Sequence, residues 1–214
     1  FTSFVLIILG DIRFTNLHGV LGIYEINYFL SIVISSVAIV GIMNAVNLID
    51  GLDGLASGVS IISLTTMGLV AYFFLGTTNV YLPITIFVLV FAIAGFFPYN
   101  FPPAIIYLGD TGALFLGFMI SVLSLQGLKN ATAVAVVTPM LILGVPLTDT
   151  VVAMIRRKLN GGSMVEADRM HLHHRLLSLG LTQHAAVLVI YGIAGIFSFI
   201  ALILNVSSRW GGTF

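Results

Sequence analysis

Six dense apolar runs, Tyr28–Met43, Ser57–Leu75, Tyr81–Phe97, Ala113–Leu125, Thr132–Ile155 and Ala185–Leu204, occupy most of this chain, and a partial seventh opens it. A helix crosses the hydrocarbon core of a bilayer with roughly 20 apolar residues. Tyr28–Met43 and Ala113–Leu125 fall short of that alone. They reach spanning length only by continuing into neighbouring polar motifs, which places some motif residues at the membrane edge. Buried soluble helices are excluded by charge: 8 Lys/Arg and 8 Asp/Glu in 214 residues make 7%, against about 25% in a soluble domain. The expected fold is all-α: a polytopic transmembrane bundle of about six complete spans plus a partial N-terminal one, in a single membrane domain over 1–214. The chain opens at Phe1 inside the apolar run Phe4–Gly10, with no basic n-region or cleavage site. It is therefore read as an N-terminally truncated fragment that begins within a helix, not behind a signal peptide.

Net charge is zero, so no basic surface supports nucleic-acid binding. The absence of cysteine removes disulfides, thiolate nucleophiles and Cys-based metal sites. Alternating the spans puts Asn44–Ala56, Pro98–Gly112 and Arg156–Gln183 on one side of the membrane. That side receives Arg156, Arg157, Lys158, Arg169 and Arg175, five of the eight basic residues, while Arg13, Lys129 and Arg209 scatter over the other. The positive-inside rule makes the first side cytoplasmic. Six of the eight acidic residues and four of the five histidines lie on or beside it, so the cytoplasmic face is expected to be the working face.

Three segments on that face carry chemistry. In Asn44-Ala-Val-Asn47-Leu-Ile-Asp50-Gly-Leu-Asp53-Gly-Leu-Ala56 the polar residues recur every third position, so neighbours stack on successive helical turns. Asp-Gly pairs form turns, but a turn does not require the Asn/Asp repeat, and carboxylates at a membrane helix end are costly without a ligand or ion. In Tyr107-Leu-Gly109-Asp110-Thr-Gly112, Asp110 either caps a helix starting near Ala113 or holds Mg²⁺ with phosphate oxygens. The third segment runs from Asp149 through the basic run to Asp168-Arg169-Met-His171-Leu-His173-His174-Arg175. His171 and His174 share a helix face while His173 points elsewhere. Such a His/Arg cluster suits diphosphate binding; zinc ligation or a structural loop are the alternatives. No P-loop, dinucleotide fingerprint or nucleophile elbow occurs.

At these segments the chain resembles the polyprenyl-phosphate N-acetylhexosamine-1-phosphate transferases of glycosyltransferase family 4, membrane enzymes that start lipid-linked glycan synthesis in bacteria. Asn44–Ala56 is similar to the family's central motif almost residue for residue. Tyr107–Ala113 resembles its Gly-Asp-x-Gly motif, with Ala113 where Ser is usual, and Asp168–Arg175 resembles its cytoplasmic His loop. The order and the shared face make the match specific, and it covers the chain from about residue 10. The sister branch acting on UDP-MurNAc-pentapeptide reads Pro-Leu-His-His-His in that loop. His171-Leu-His173-His174-Arg175 instead resembles the branch using UDP-GlcNAc or a similar UDP-HexNAc.

The resemblance implies transfer of HexNAc-1-phosphate from UDP-HexNAc to a polyprenyl phosphate, with release of UMP, in the inner or plasma membrane. It implies Mg²⁺, with Mn²⁺ an allowed substitute, on Asp110 and Asp50. It implies Asp50, Asp110 and His171 as catalytic residues, Asn44 and Asn47 lining the diphosphate region, Asp53 at the uracil, and His173, His174, Arg169 and Arg175 at the diphosphate or sugar. Homodimerisation stays open. The family's acidic Asp-Asp pair lies upstream of the matched region and is absent here, so the fragment alone is expected to be inactive. The alternatives are the MurNAc-pentapeptide branch and, from another class, an ion-coupled transporter using Asp50, Asp53 and Asp149.

Overall fold

The computed structural model of the chain describes residues 27–73, 80–128, 143–159 and 172–211, together with Ile7, Gly10, Ile12 and Arg13. Every regular element among these residues is a helix: α1 (Tyr28–Ile49), α2 (Leu55–Phe73), α3 (Tyr81–Asn100), α4 (Gly109–Leu128), α5 (Gly144–Leu159), α6 (Leu172–Ser178) and α7 (Gln183–Gly211). Five of them, α1 to α4 and α7, are long and apolar enough to cross a membrane. The expected all-helical membrane bundle is therefore what forms. Most of the first half of Thr132–Ile155 and most of the partial N-terminal span lie outside the described residues.

The two short apolar runs reach spanning length as their composition requires. α1 continues through Asn44 and Asn47 to Ile49, and α4 begins at Gly109 instead of Ala113. Asn27 caps α1 by accepting from the Phe29 N–H at 3.1 Å, which satisfies one of the free amides of a helix start. At the other end the Asp50 N–H bonds the Asn47 carbonyl, and the chain turns through Gly51–Gly54 into α2.

α2 is the hub. Its spanning window is 72% buried, against 28–33% for α1, α3 and α7, and it packs on α1, α3, α4 and α7. Ser57, Ser60, Ser63 and Thr66 are buried along it. Small side chains let membrane helices approach closely, and hydroxyls bond into the helix backbone, as Thr66 Oγ1 does to the Ile62 carbonyl at 2.9 Å. Around α2, Leu64, Met67, Ile86, Ile120 and Leu123 make the central core. A second cluster, with Ile49, Leu55, Val59, Val187 and Ile190, closes the end where the polar loops emerge. Val145, in the first turn of α5, belongs to this end cluster. Leu147, half a turn further on, packs against the central core, while Val151, Val152 and Ile155 of α5 are exposed.

Candidate active site

The end of α1, the turn into α2 and the α3–α4 loop meet at one end of the bundle. There the Asn47 side-chain amide donates to Asp110 Oδ1 at 3.2 Å, across 63 positions of sequence. Asp110 is thereby fixed in the first turn of α4, where a helix N-terminus favours negative charge. It is not the helix cap: the helix already starts at Gly109, whose φ of +66° is the left-handed conformation that glycine adopts without a Cβ clash.

Asp50 is half-buried beside this pair. Burial, then the negative charges of Asp110 and Asp53, raise its carboxyl to about 6 from the usual 3.8. A folded-state value above the unfolded one means that ionised Asp50 destabilises the fold. Its stabilising contribution is full below about 3.8 and is lost as pH rises through about 6. Without divalent cation, Asp50→Asn is therefore expected to melt a few degrees above wild type at pH 7.5, with the gap closing near pH 4. Differential scanning fluorimetry across that range in chelator checks this, and a gap independent of pH would contradict it.

The neighbouring loops are tied to each other by buried polar contacts. Asp53 Oδ2 accepts from the Ala104 N–H at 3.1 Å. Ser57 Oγ donates to Asn100 Oδ1 at 2.6 Å, and the Asn100 amide donates to the Ile106 carbonyl at 3.0 Å. The Ile105 and Ile106 amides fold back on the Tyr99 carbonyl. Polar side chains this deeply buried are costly unless partnered, and the partnering makes the α1–α2 turn and the α3–α4 loop one unit.

On the third side, Asp149 Oδ1 accepts from the Leu172 N–H at 2.8 Å. This fastens the start of α6 to α5, and α6 also packs on α7. His174 and Arg175 stand exposed on α6. Arg169 and His171 lie outside the described residues, as does the side chain of His173.

Asn47, Asp50, Asp53 and Asp110 thus lie together at this end of the bundle. Asn44 does not join them: it is exposed, and its amide donates to the Val40 carbonyl of its own helix at 2.8 Å. Sequence reasoning passed over Ser57, Asn100 and Tyr191, whose hydroxyl donates to the Gly54 carbonyl at 2.6 Å. Asn100 at the end of an apolar run carried a usable signal. Ser57 and Tyr191 inside apolar runs carried none. Among the described residues no three His, Cys, Asp or Glu side chains form a ready metal cage.

Fold and site together define a multi-pass helical membrane protein with a carboxylate-rich polar site at one end of its bundle. The chain belongs to glycosyl transferase family 4, whose profile matches residues 1–128, more than half of its length. It is 49% identical over 155 residues to the "probable undecaprenyl-phosphate N-acetylglucosaminyl 1-phosphate transferase" of Bacillus subtilis, covering 72% of this chain and 42% of that protein. It is 40% identical over 124 residues to the decaprenyl-phosphate N-acetylglucosaminephosphotransferase of Mycolicibacterium smegmatis (52% and 30% of the two chains). Over 138 residues it is 31% identical to the undecaprenyl-phosphate alpha-N-acetylglucosaminyl 1-phosphate transferase of Salmonella typhi (62% and 37%). The chain thus matches less than half the length of each of these relatives.

Proposed function

We propose that the full-length protein transfers N-acetylhexosamine-1-phosphate, with GlcNAc-1-phosphate the first choice, from UDP-HexNAc to a polyprenyl phosphate, releasing UMP. The observation that carries this reading is the meeting of Asn47, Asp50 and Asp110 at a helix-end site in a chain 49% identical to a relative named for that chemistry. The relatives' names also favour this branch over the MurNAc-pentapeptide one. The sugar-bearing phosphorus exchanges its bond to UMP for a bond to the lipid phosphate. A lipid phosphate and a water-soluble nucleotide meet only at the membrane surface, which is where helix ends put their polar groups. The bias of basic residues toward the motif-bearing loops supports a cytoplasmic orientation in the inner or plasma membrane.

The donor set fits a hard divalent cation. Asp110 and Asp50 offer carboxylate oxygens, and the burial and carboxylate repulsion that raise Asp50 are what a bound cation would offset. Magnesium is held in such sites by one or two carboxylates plus substrate phosphates, consistent with a site that is not a complete protein cage. Asp110 and Asp50 would hold Mg²⁺, with Mn²⁺ as substitute. When bound, the ion supplies charge neutralisation on the diphosphate.

The chain's own residues orient the reactants. Asn47 holds Asp110 through its amide and, by its place, lines the diphosphate region with Asp50. Asp53 contacts the uracil through the oxygen that does not serve Ala104. The family motif assigns His171, His173, His174, Arg169 and Arg175 to the diphosphate or sugar, and the arginine charges would offset the negative charge of the reacting anions. The test uses full-length protein in nanodiscs with UDP-GlcNAc, undecaprenyl phosphate and Mg²⁺. UMP release that requires both lipid and divalent cation is expected. Intact UDP-GlcNAc, UDP-GalNAc and UDP-MurNAc-pentapeptide after incubation would overturn the transferase reading.

A further inference from the structure

Tyr191 lies two turns inside α7, a helix that carries no other group of the site. Its ring is half-buried, and its hydroxyl reaches across 137 positions to the Gly54 carbonyl. That carbonyl also receives the Gly58 N–H at 2.9 Å and lies 3.0 Å from the Ser57 hydroxyl oxygen, and the tyrosine bond, at 2.6 Å, is the shortest of the set. The space for the ring is made by an absence: a Cβ on Gly58 would overlap the Tyr191 hydroxyl and Cζ.

Gly54 itself is a junction. It sits at φ +74°, and a Cβ there would press on Phe101 Cα, Pro102 Cδ and the Tyr191 hydroxyl at 3.2 to 3.4 Å. The turn of α1 into α2, the α3–α4 loop and α7 therefore close on one peptide group, directly after Asp53. Phe97 stands 6.3 Å from the Tyr191 ring and Phe101 5.5 Å from that of His184, so α7 also grips the end of α3 and the start of the α3–α4 loop over two turns. α7 is also the helix against which α6, bearing the His loop, packs.

We propose that Tyr191 is a positioning residue: its hydroxyl bond to Gly54 holds the Asp50–Asp53 turn in place against Asp110 and links that turn to the His-bearing α6–α7 unit. The bond is partly buried beside Phe97, and the ring alone cannot replace it. Tyr191→Phe keeps the packing and removes only the donor. The consequence for catalysis rests on the transferase reading, whereas the pin itself does not.

The experiment uses full-length protein in nanodiscs and two readouts. Hydrogen exchange of the 50–58 segment in Tyr191→Phe is expected to quicken about five- to tenfold, the size of one net hydrogen bond, with the rest of α2 and α7 unchanged. UMP release is expected to lose kcat by a similar factor and KM for UDP-GlcNAc to rise with it, because the displaced turn carries both Asp50 and the uracil-contacting Asp53. Gly58→Ala, which displaces the ring, should reproduce both effects. Unchanged exchange in 50–58 would overturn the pin. Quickened exchange with unaltered kcat would overturn the positioning role, as would a uniform rise in exchange with a lowered Tm, the mark of mere destabilisation. A wild type that releases no UMP would strike the transferase reading, and the exchange measurement would still decide the pin.

Discussion

Asp110→Asn in the full-length protein is expected to lower UMP release by about 10³-fold or more at saturating substrates, the loss typical of removing a group that supports developing charge. The substitution is close to isosteric, and Asn47 can donate to an amide oxygen at position 110 as it does to the carboxylate, 3.2 Å away. The fold therefore has no reason to suffer. Removing the Asp110 charge also removes part of the repulsion on Asp50, so Tm should hold or rise slightly. The signature is catalytic loss without structural loss. Titration of Mn²⁺, followed by its electron paramagnetic resonance signal, should show weakened binding in parallel. Activity within about threefold of wild type, or unaltered cation dependence, would remove Asp110 from the metal site.

Gly117→Ala is expected to be the most damaging single-methyl change in the bundle. A Cβ at 117 would come 2.6 Å from Met43 Cα and 3.2 Å from the Ile42 and Met43 carbonyl oxygens. Those atoms are backbone, so no side chain can rotate aside and α1 and α4 must separate. Overpacking of this kind costs about 1–3 kcal/mol, read as a Tm several degrees lower. Met43 lies one turn before Asn47, and Gly117 two turns after Asp110. Parting the helices at their contact therefore also pulls the Asn47–Asp110 pair apart. Activity should fall together with stability, unlike in Asp110→Asn. Gly95→Ala is the control: nothing lies within 4 Å of its added methyl, and alanine favours the helix, so both readouts should be at or above wild type. If Gly95→Ala and Gly117→Ala behave alike, the close α1–α4 approach is not what holds the site.

Much of this was legible because it follows from solvent alone. Apolar runs with so few charges had to become membrane helices. The two short runs had to extend into their motifs, and α1 and α4 do so through Asn47 and from Gly109. Counting spans put Asp50, Asp53 and Asp110 at one end, and the family motifs named them. The misplacements have one physical source. On a membrane helix the lipid-facing and core-facing sides are both apolar, so periodicity does not say which side packs. Nothing in the sequence marked α2 as the hub or distinguished Tyr191 from tyrosines facing lipid. Asn44 shared the spacing of Asn47, but at the surface of α1 its amide turns back to Val40.

The sequence by itself determined the solvent, the helical class, the end of the bundle where chemistry belongs and the residue types available there. Tertiary structure alone decided which of those residues act on one another: Asn47 with Asp110, Asp53 with Ala104, Asp149 with Leu172 and Tyr191 with Gly54. The reason is that these bonds join segments 23 to 137 positions apart. Their lengths are set by how closely the helices pack, at glycines such as 58 and 117, and no local pattern encodes that approach.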